Sequence, residues 1–219
     1  RKSNNSLSPA KMRKANKLRA IKRMQRLINA NFRSGDFFCR FSAPYGTYEA
    51  EEEFRKEVGK WLDRINYRLK KQGKGRLKYI AFIECGKSGK NWHIHIIVSK
   101  EDRELLFEQW PYENGQNFTP LYKHENFKKL AEYITKDLTG KEDVDAAQKR
   151  MMTSRNLTKP ESVTRKAKRK EIRALERGEM IEPPEGHYLI EDDYSMKYSD
   201  IGGVKCYYCF MPITQRRKW

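Results

Sequence analysis

Two histidines one residue apart stand in the otherwise apolar run "NWHIHIIVSK", residues 91–100. Alternate side chains of a strand point to opposite faces, so His93 and His95 share one face and the isoleucines take the other. The run "LKYIAFIE" (77–84) reads as a neighbouring strand, and a hairpin that sets Glu84 opposite His93 adds a carboxylate to the histidine face. Opposed Cβ atoms lie about 5 Å apart, close enough to share one ion. The spacing therefore predicts a divalent metal site, with a pair of solvent-facing polar residues as the alternative.

Two imidazoles and one carboxylate leave coordination positions open on the ion. Such a site suits a non-haem iron oxygenase, a zinc hydrolase, or phosphoryl transfer with Mg²⁺ or Mn²⁺. The charge of the chain favours the last of these, because 47 Lys and Arg against 29 Asp and Glu give a net charge of +18. Residues 1–35 hold eleven basic residues and no acidic one, and residues 155–177 hold nine more. Such segments indicate a polyanionic partner, nucleic acid above all, although each alone could be a solvated face.

A candidate nucleophile lies on a predicted helix, "ENFKKLAEYITKDL" (125–138). At 100° per residue, Tyr133 falls about 60° from the edge of the apolar stripe. Lys129 and Lys136 lie four residues before it and three after it, on the same flank. Two ammonium groups there would favour phenolate and attract a phosphate. A tyrosine that only packs its ring is the alternative, and competing tyrosines without such lysines are Tyr122, Tyr188, Tyr207 and Tyr208.

The elements around these residues predict an α+β fold, a central antiparallel sheet of about five strands with helices packed on it. Apolar periodicity predicts helices and strands in a mixed order. The helices are expected at 8–30, 48–71, 101–108 and 124–138, and the strands or extended segments at 37–43, 77–84, 92–99, 117–122, 187–191 and 203–211.

Composition divides the chain into four predicted parts. They are a basic N-terminal helical arm (1–35), a catalytic core (36–140), a basic helical segment (141–182) and C-terminal strands joining the core (183–219). No apolar run approaches the roughly 20 residues of a membrane span, and no secretory signal is recognisable. We therefore expect reduced cysteines in a cytoplasm, with Cys206 and Cys209 as structural thiols rather than half of a zinc site.

The order of "FIEC", "HIHIIV" and "YITK" along the chain resembles the HUH endonucleases, specifically the single-tyrosine rolling-circle replication initiators of plasmids and phages. That family has an RRM-like sheet, a metal site on a His-hydrophobic-His strand, and a Tyr-x-x-Lys helix. The resemblance implies His93 and His95 as ligands, Glu84 as third ligand, Tyr133 as nucleophile and Lys136 as its assisting lysine. "MTSRNLTKP" (152–160) also resembles a segment of such initiators.

The activity implied by the resemblance is nicking of single-stranded origin DNA, extruded as a hairpin, in the bacterial cytoplasm. It leaves a 5′-phosphotyrosine and a free 3′-OH that can prime a host polymerase. A Walker motif is absent, because Ala81 occupies the position of its first glycine, so unwinding is expected from a host helicase. Closing the circle with one tyrosine can involve a second subunit of a homo-oligomer. Expected DNA contacts are Lys87, Lys90, Trp92, Lys129, Arg155 and Lys159.

Two rival functions are left open. A relaxase or single-strand transposase of the same superfamily is one, although relaxases place the tyrosine before the histidines and transposases usually add a glutamine to the tyrosine helix. The other is a non-enzymatic nucleic-acid-binding protein with structural histidines, which predicts DNA binding without metal dependence.

Overall fold

The computed structural model describes residues 9–86, 88–122, 127–136, 151–190, 194–198 and 203–212. The chain forms two compact units, residues 1–159 and residues 160–219. Among the described helices, none combines the length and the apolar composition that crossing a bilayer requires.

The first unit is built on a five-stranded antiparallel sheet, in the order β4-β1-β3-β2-β5. Its strands are β1 (Phe37–Ser42), β2 (Tyr79–Cys85), β3 (Trp92–Val98), β4 (Gln116–Pro120) and β5 (Met151–Thr153). Its helices are α1 (Pro9–Asn31), α2 (Glu51–Lys71), α3 (Arg103–Gln109), preceded by a 3₁₀ turn at Lys100–Asp102, and α4 (Lys128–Thr135). The predicted α+β class with a sheet of about five strands is confirmed.

Helix α2 covers one face of the sheet, which we call the α2 face. Glutamates occupy its first turn and basic residues its last, as the helix dipole favours. Its apolar stripe is buried against inward-facing residues of β1, β2 and β3, Cys39 and Ile96 among them. The indole Nε1–H of Trp61 donates to the Leu106 carbonyl at 3.1 Å and so joins α2 to α3. The buried stripe residues are Phe54, Val58, Trp61, Leu62, Ile65 and Leu69.

Helices α1 and α4 pack on the opposite face, which we call the histidine face because it carries His93 and His95. The apolar residues of α1 that the 3.6-residue period predicts, such as Ile21 and Ile28, are buried there with Ile80 and Ile97 of the sheet. Ala131 and Ile134 of α4 join the same cluster. The two helices thereby form one wall beside the histidines.

The fifth strand departs from the sequence-based prediction. Met151–Thr153 pairs with β2, with Thr153 opposite Ile80, whereas the stretch 141–182 was expected to be helical. Among its described residues, only α5 (Arg169–Glu176) is an α-helix. The Lys- and Arg-rich composition suggested a helix, but an open sheet edge provides hydrogen bonds to a short apolar run and overrides that weak preference.

The second unit contains α5 and two small sheets. The pair β6 (His187–Leu189) and β9 (Phe210–Pro212) forms one, and β7 (Ser195–Tyr198) and β8 (Val204–Tyr207) form the other. These C-terminal strands were expected to join the core sheet. In the described part of the chain, β6 pairs with β9 and β7 with β8 instead.

Candidate active site

The β2–β3 hairpin has the register that the sequence predicted. Glu84 lies opposite His93, and Phe82 lies opposite His95. Directly opposed residues of an antiparallel pair point to the same face. The hairpin therefore places Glu84, His93 and His95 together on the histidine face.

The three side chains converge on a single point. The Nε2 atoms of His93 and His95 lie 3.1 Å and 3.0 Å from the Oε2 atom of Glu84. One ligand atom from each residue can be chosen so that all lie within 4.8 Å of one another. No other His, Cys, Asp or Glu group within the described ranges meets this criterion. Both imidazoles are buried, at 7% and 6% exposure, which limits competition from water.

The contact of the second nitrogen of His93 favours one tautomer of the ring. Its Nδ1 atom lies 3.1 Å from the Asn91 carbonyl oxygen, and this contact is a hydrogen bond only if Nδ1 carries the proton. In the neutral ring, Nε2 then carries a lone pair that faces a carboxylate oxygen. Two hydrogen-bond acceptors therefore lie against each other and repel. A divalent cation between the two relieves that repulsion, and carbonyl-oriented histidines are common metal ligands. The donor set thus fits a metal ion such as Mn²⁺, which accepts both imidazole and carboxylate.

His95 is held between two aromatic rings. Its imidazole stacks on Phe38 at a centroid distance of 5.2 Å and on Phe82 at 4.9 Å, with interplanar angles of 8° and 15°. Its Nδ1 atom is buried and has no hydrogen-bond partner in the described part of the protein. Stacking on the two aromatic rings and the contact of Nε2 with Glu84 therefore orient this imidazole.

The structure also brings Tyr133 to this site. Its ring lies edge-on to His95, with centroids 5.7 Å apart, and edge-on to Phe38 at 5.9 Å. Apolar residues of α4 are buried against α1 and the sheet, yet the Tyr133 side chain remains 44% exposed. Lys129 and Lys136 are exposed near it on and just after α4. A phenol beside a cation site and accessible to a substrate is the arrangement that nucleophilic attack on a phosphate needs.

The start of α4 carries the strain that fixes its direction. Phe127, its N-cap, has φ of 61° and ψ of 22°, a left-handed conformation that is rare for a bulky residue. Its side chain is buried in the cluster formed with α1. Burial of the ring offsets the backbone strain, typically about 1–3 kcal/mol, and sets the entry of α4 over the histidine face.

Trp92 was expected to stack on DNA at the histidine face, and this expectation is wrong. It alternates with His93 and so lies on the α2 face, where its ring packs against Phe54 at 6.3 Å. Its Nε1–H donates to the Tyr48 carbonyl at 3.1 Å. The strand alternation that placed the histidines excludes Trp92 from their side.

The remaining expected DNA contacts have different outcomes. Lys87 lies outside the described residues, and Lys90 is exposed at the β2–β3 loop. Arg155 and Lys159 are exposed in a segment anchored to α1, since Asn31 accepts from the Thr158 amide and donates to its carbonyl, both at 2.8 Å. With Lys129, which is exposed on α4, these residues make five that remain predicted DNA contacts.

The sequence-based site omitted Arg40. It is the one charged residue of β1, "FFCRFS", and lies directly opposite His95. The sequence contained a signal for this residue, because Arg40 is the one charged residue in an otherwise largely apolar strand.

Comparison with known proteins gives one match. Residues 46–143 match the model of a family described as replication-associated protein ORF2. No curated protein and no solved structure matches the chain significantly. The matched stretch runs from before α2 to beyond α4 and contains Glu84, His93, His95 and Tyr133. The match supports a replication-initiator role in which the protein interacts with DNA, and it is consistent with nuclease activity at a Glu-His-His site that could bind a metal ion.

Proposed function

We propose that the protein initiates rolling-circle replication by nicking single-stranded origin DNA, with Tyr133 as the nucleophile. The observation that carries this proposal is the position of the Tyr133 ring beside His95, at the edge of the Glu84–His93–His95 cluster. The cluster pairs two buried imidazoles and a carboxylate with a phenol that is 44% exposed. This arrangement meets the needs of transesterification at a phosphodiester.

Glu84, His93 and His95 would hold Mg²⁺ or Mn²⁺ at the histidine face. When bound, such an ion polarises the phosphate and stabilises the charge that develops on it. Each of the other groups has its own part. The His93 contact with the Asn91 carbonyl and the two-sided stacking of His95 hold the imidazoles in their ligating orientation before substrate arrives.

In the chemical step, the Tyr133 oxygen forms a bond to phosphorus while the bond from phosphorus to the 3′-oxygen breaks. The phenolic proton leaves to solvent, and the 3′-oxygen gains a proton to become a free hydroxyl. The products are a 5′-phosphotyrosine and a 3′-OH, so the phosphodiester energy is conserved in the new ester. Lys136, one turn from Tyr133, favours the phenolate and attracts the phosphate.

These products indicate which host proteins replication would require. A polymerase of the bacterial host would extend the 3′-OH, and a host helicase would unwind the duplex in the cytoplasm. Rejoining the ends would need Tyr133 of a second copy, repeated use of the same tyrosine, or water. The basic residues Lys90, Lys129, Arg155 and Lys159 would neutralise phosphates around the nick.

The test is the formation of a covalent adduct. Wild-type protein is incubated with labelled single-stranded origin DNA and Mn²⁺, and SDS-stable adduct is measured on gels. We expect adduct that Tyr133→Phe abolishes and that His93→Ala reduces to background while most DNA binding remains. Tyr122→Phe, a change at another exposed tyrosine, is the matched control and should behave as wild type.

Three outcomes would count against the proposal. Adduct formed by Tyr133→Phe would move the nucleophile elsewhere. DNA binding without adduct on any origin fragment, with or without metal, would favour the non-enzymatic alternative. Strand transfer between two element ends without replication priming would favour a transposase or relaxase of the same superfamily.

A further inference from the structure

We propose that Arg40 binds the phosphate at which the strand is cut. This inference rests on the proposed function and adds a phosphate ligand to its site. Arg40 lies in the middle of β1 on the histidine face, with His95 opposite on one side and Asn117 of β4 opposite on the other. Opposed Cβ atoms lie about 5 Å apart, so this guanidinium belongs to a residue adjacent to the metal site.

Within the residues that the structure describes, no hydrogen bond or ion pair is made by the Arg40 guanidinium. The Nε atom of Arg40 is buried and makes no hydrogen bond, and in the described part of the chain the residue forms no ion pair. An unpaired charge that is partly withdrawn from water is destabilising, and such a charge is normally satisfied by an opposite one. The position of Arg40 adds a second destabilising effect, because its positive charge would be repelled by a divalent ion bound in the neighbouring site. An anion that contacts both would remove both penalties.

The surface around Arg40 can admit such an anion. Helices α1 and α4 pack against the β2 and β3 side of the histidine face, with Ile80 and Ile97 beneath them. On the β4 side the same face carries Asn117 and Thr119, both exposed, and the Thr119 hydroxyl donates to the Asn117 side-chain oxygen at 3.2 Å. Neither β1 nor β4 contains an acidic residue. The β4 edge of this face is therefore exposed and polar, and neither strand contributes a carboxylate that would repel a phosphate.

The chemistry of arginine fits this role. Its planar fork binds two phosphate oxygens at once, which lysine cannot do. Negative charge on those oxygens increases toward the transition state, so the contact should help the reaction more than it helps binding. A strand held by Arg40 and the ion would run from β4 across β1 toward Tyr133.

Three variants test the proposal: Arg40→Gln, Arg40→Lys, and the control Arg55→Gln, which removes an arginine of α2 that pairs with Glu51. Binding of a short labelled single strand is measured by fluorescence anisotropy across salt concentrations, in a Tyr133→Phe background that prevents cleavage. Adduct formation is measured as a rate in the presence of Tyr133. Mn²⁺ affinity is measured without DNA by calorimetry.

For Arg40→Gln we expect the adduct rate to fall about 100-fold, as for loss of one oxyanion donor, and the strand affinity to fall less, about 10-fold. The slope of log affinity against log salt should decrease by about 0.7, one phosphate contact on a single strand. Mn²⁺ affinity should hold or increase, because a neighbouring positive charge is gone. Arg40→Lys should restore binding and its salt dependence but only part of the rate, and Arg55→Gln should match wild type.

Equal rate, affinity and salt slope in Arg40→Gln and wild type would overturn the proposal while leaving the proposed function intact. Loss of Mn²⁺ affinity together with activity would show that Arg40 only supports the local structure, and would overturn it as well. If wild type binds the strand but forms no adduct, the proposed function fails. The binding comparison then still decides whether Arg40 contacts phosphate.

Discussion

The two faces of the five-stranded sheet are built from the same strands but differ in how completely their side chains are buried. On the α2 face, β1 contributes Cys39 and Phe41, both 0% exposed, to a cluster in which Phe41 lies 4.9 Å from the Trp61 ring. On the histidine face the same strand contributes Phe38, Arg40 and Ser42, which are only partly buried. One side of β1 therefore closes a core, and the other borders a site.

The contrast shows how this fold assigns stability to one face of the sheet and a candidate site to the other. The α2 face buries aromatic and branched side chains, and the Trp61 Nε1–H donates to the Leu106 carbonyl, whereas the buried Trp110 Nε1 makes no hydrogen bond within the described residues. On the histidine face, Nδ1 of His95 and Nε of Arg40 are buried and have no hydrogen-bond partner among the described residues. Unsatisfied polar groups reduce stability, and on the histidine face two of them belong to His95 and Arg40, which lie directly opposite each other beside the Glu84–His93–His95 cluster. A sheet with one well-packed face can support such a site on the other.

The largest expected effect concerns the ligand carboxylate on the histidine face. Loss of a group that merely orients a ligand weakens metal binding by about 10–100-fold, so Glu84→Gln, which removes a ligating charge, should weaken Mn²⁺ binding by about 100-fold or more. The rise in melting temperature that Mn²⁺ causes in wild type should disappear with it. Calorimetric titration with Mn²⁺ measures the affinity, and thermal unfolding with and without Mn²⁺ measures the stabilisation.

Glu101→Gln is the control for this change, because it neutralises an exposed carboxylate paired with Arg33. It should bind Mn²⁺ as wild type does. Undiminished Mn²⁺ affinity in Glu84→Gln would mean that the cluster does not bind metal through Glu84. The histidine face would then no longer differ from the α2 face by a metal site that includes this carboxylate.

A matched pair on β1 gives an intermediate effect and separates the faces directly. Phe38→Leu removes one ring from the stack on His95 and one edge contact with Tyr133. Aromatic pairs contribute about 0.5–1.5 kcal/mol each, so the adduct rate should fall about 10-fold with a small loss of stability. Phe41→Leu removes a ring from the α2 face and should lower the free energy of unfolding by about 1–2 kcal/mol without altering the rate.

Urea unfolding and single-turnover adduct formation measure the two effects independently. If both variants lose rate and stability to the same extent, the two faces act as one unit, and the separation described above does not exist.

The smallest effect is expected at Cys39, where burial raises the pKa of the thiol to about 12. At pH 8 almost no thiolate is present, and the thiol is inaccessible, so iodoacetamide should leave Cys39 unmodified in the folded protein. Cys85, at the end of β2 and only partly buried, should react. Peptide mass spectrometry after alkylation, with a urea-unfolded sample in which all four cysteines react, is the measurement. Rapid native modification of Cys39 would show that the α2 face opens readily.

Much of the fold and of the site was predictable because it depends on short-range patterns. The α2 stripe from Phe54 to Leu69 follows the helical period, and the hairpin register follows from two strands that are close in sequence and alternate in polarity. Strand β5 was not predictable in this way, since pairing Thr153 with Ile80 joins residues far apart in the chain and depends on which sheet edge is open. The placement of Trp92 could have been predicted, because the alternation applied to His93 puts it on the α2 face.

Sequence patterns were sufficient to predict most of the helices and strands of the first unit, the shared face of Glu84, His93 and His95, and the helix that carries Tyr133. These follow from the period of two along a strand and of 3.6 along a helix, which are local properties of the backbone. Three relations depend on the tertiary structure: Tyr133 lies beside His95, Phe38 and Phe82 enclose that imidazole, and Arg40 lies opposite it with an Nε atom that makes no hydrogen bond within the described residues. Those relations join β1, the β2–β3 hairpin and α4, and the burial of apolar residues between them sets their distances. A spacing rule that applies within one element cannot predict those distances.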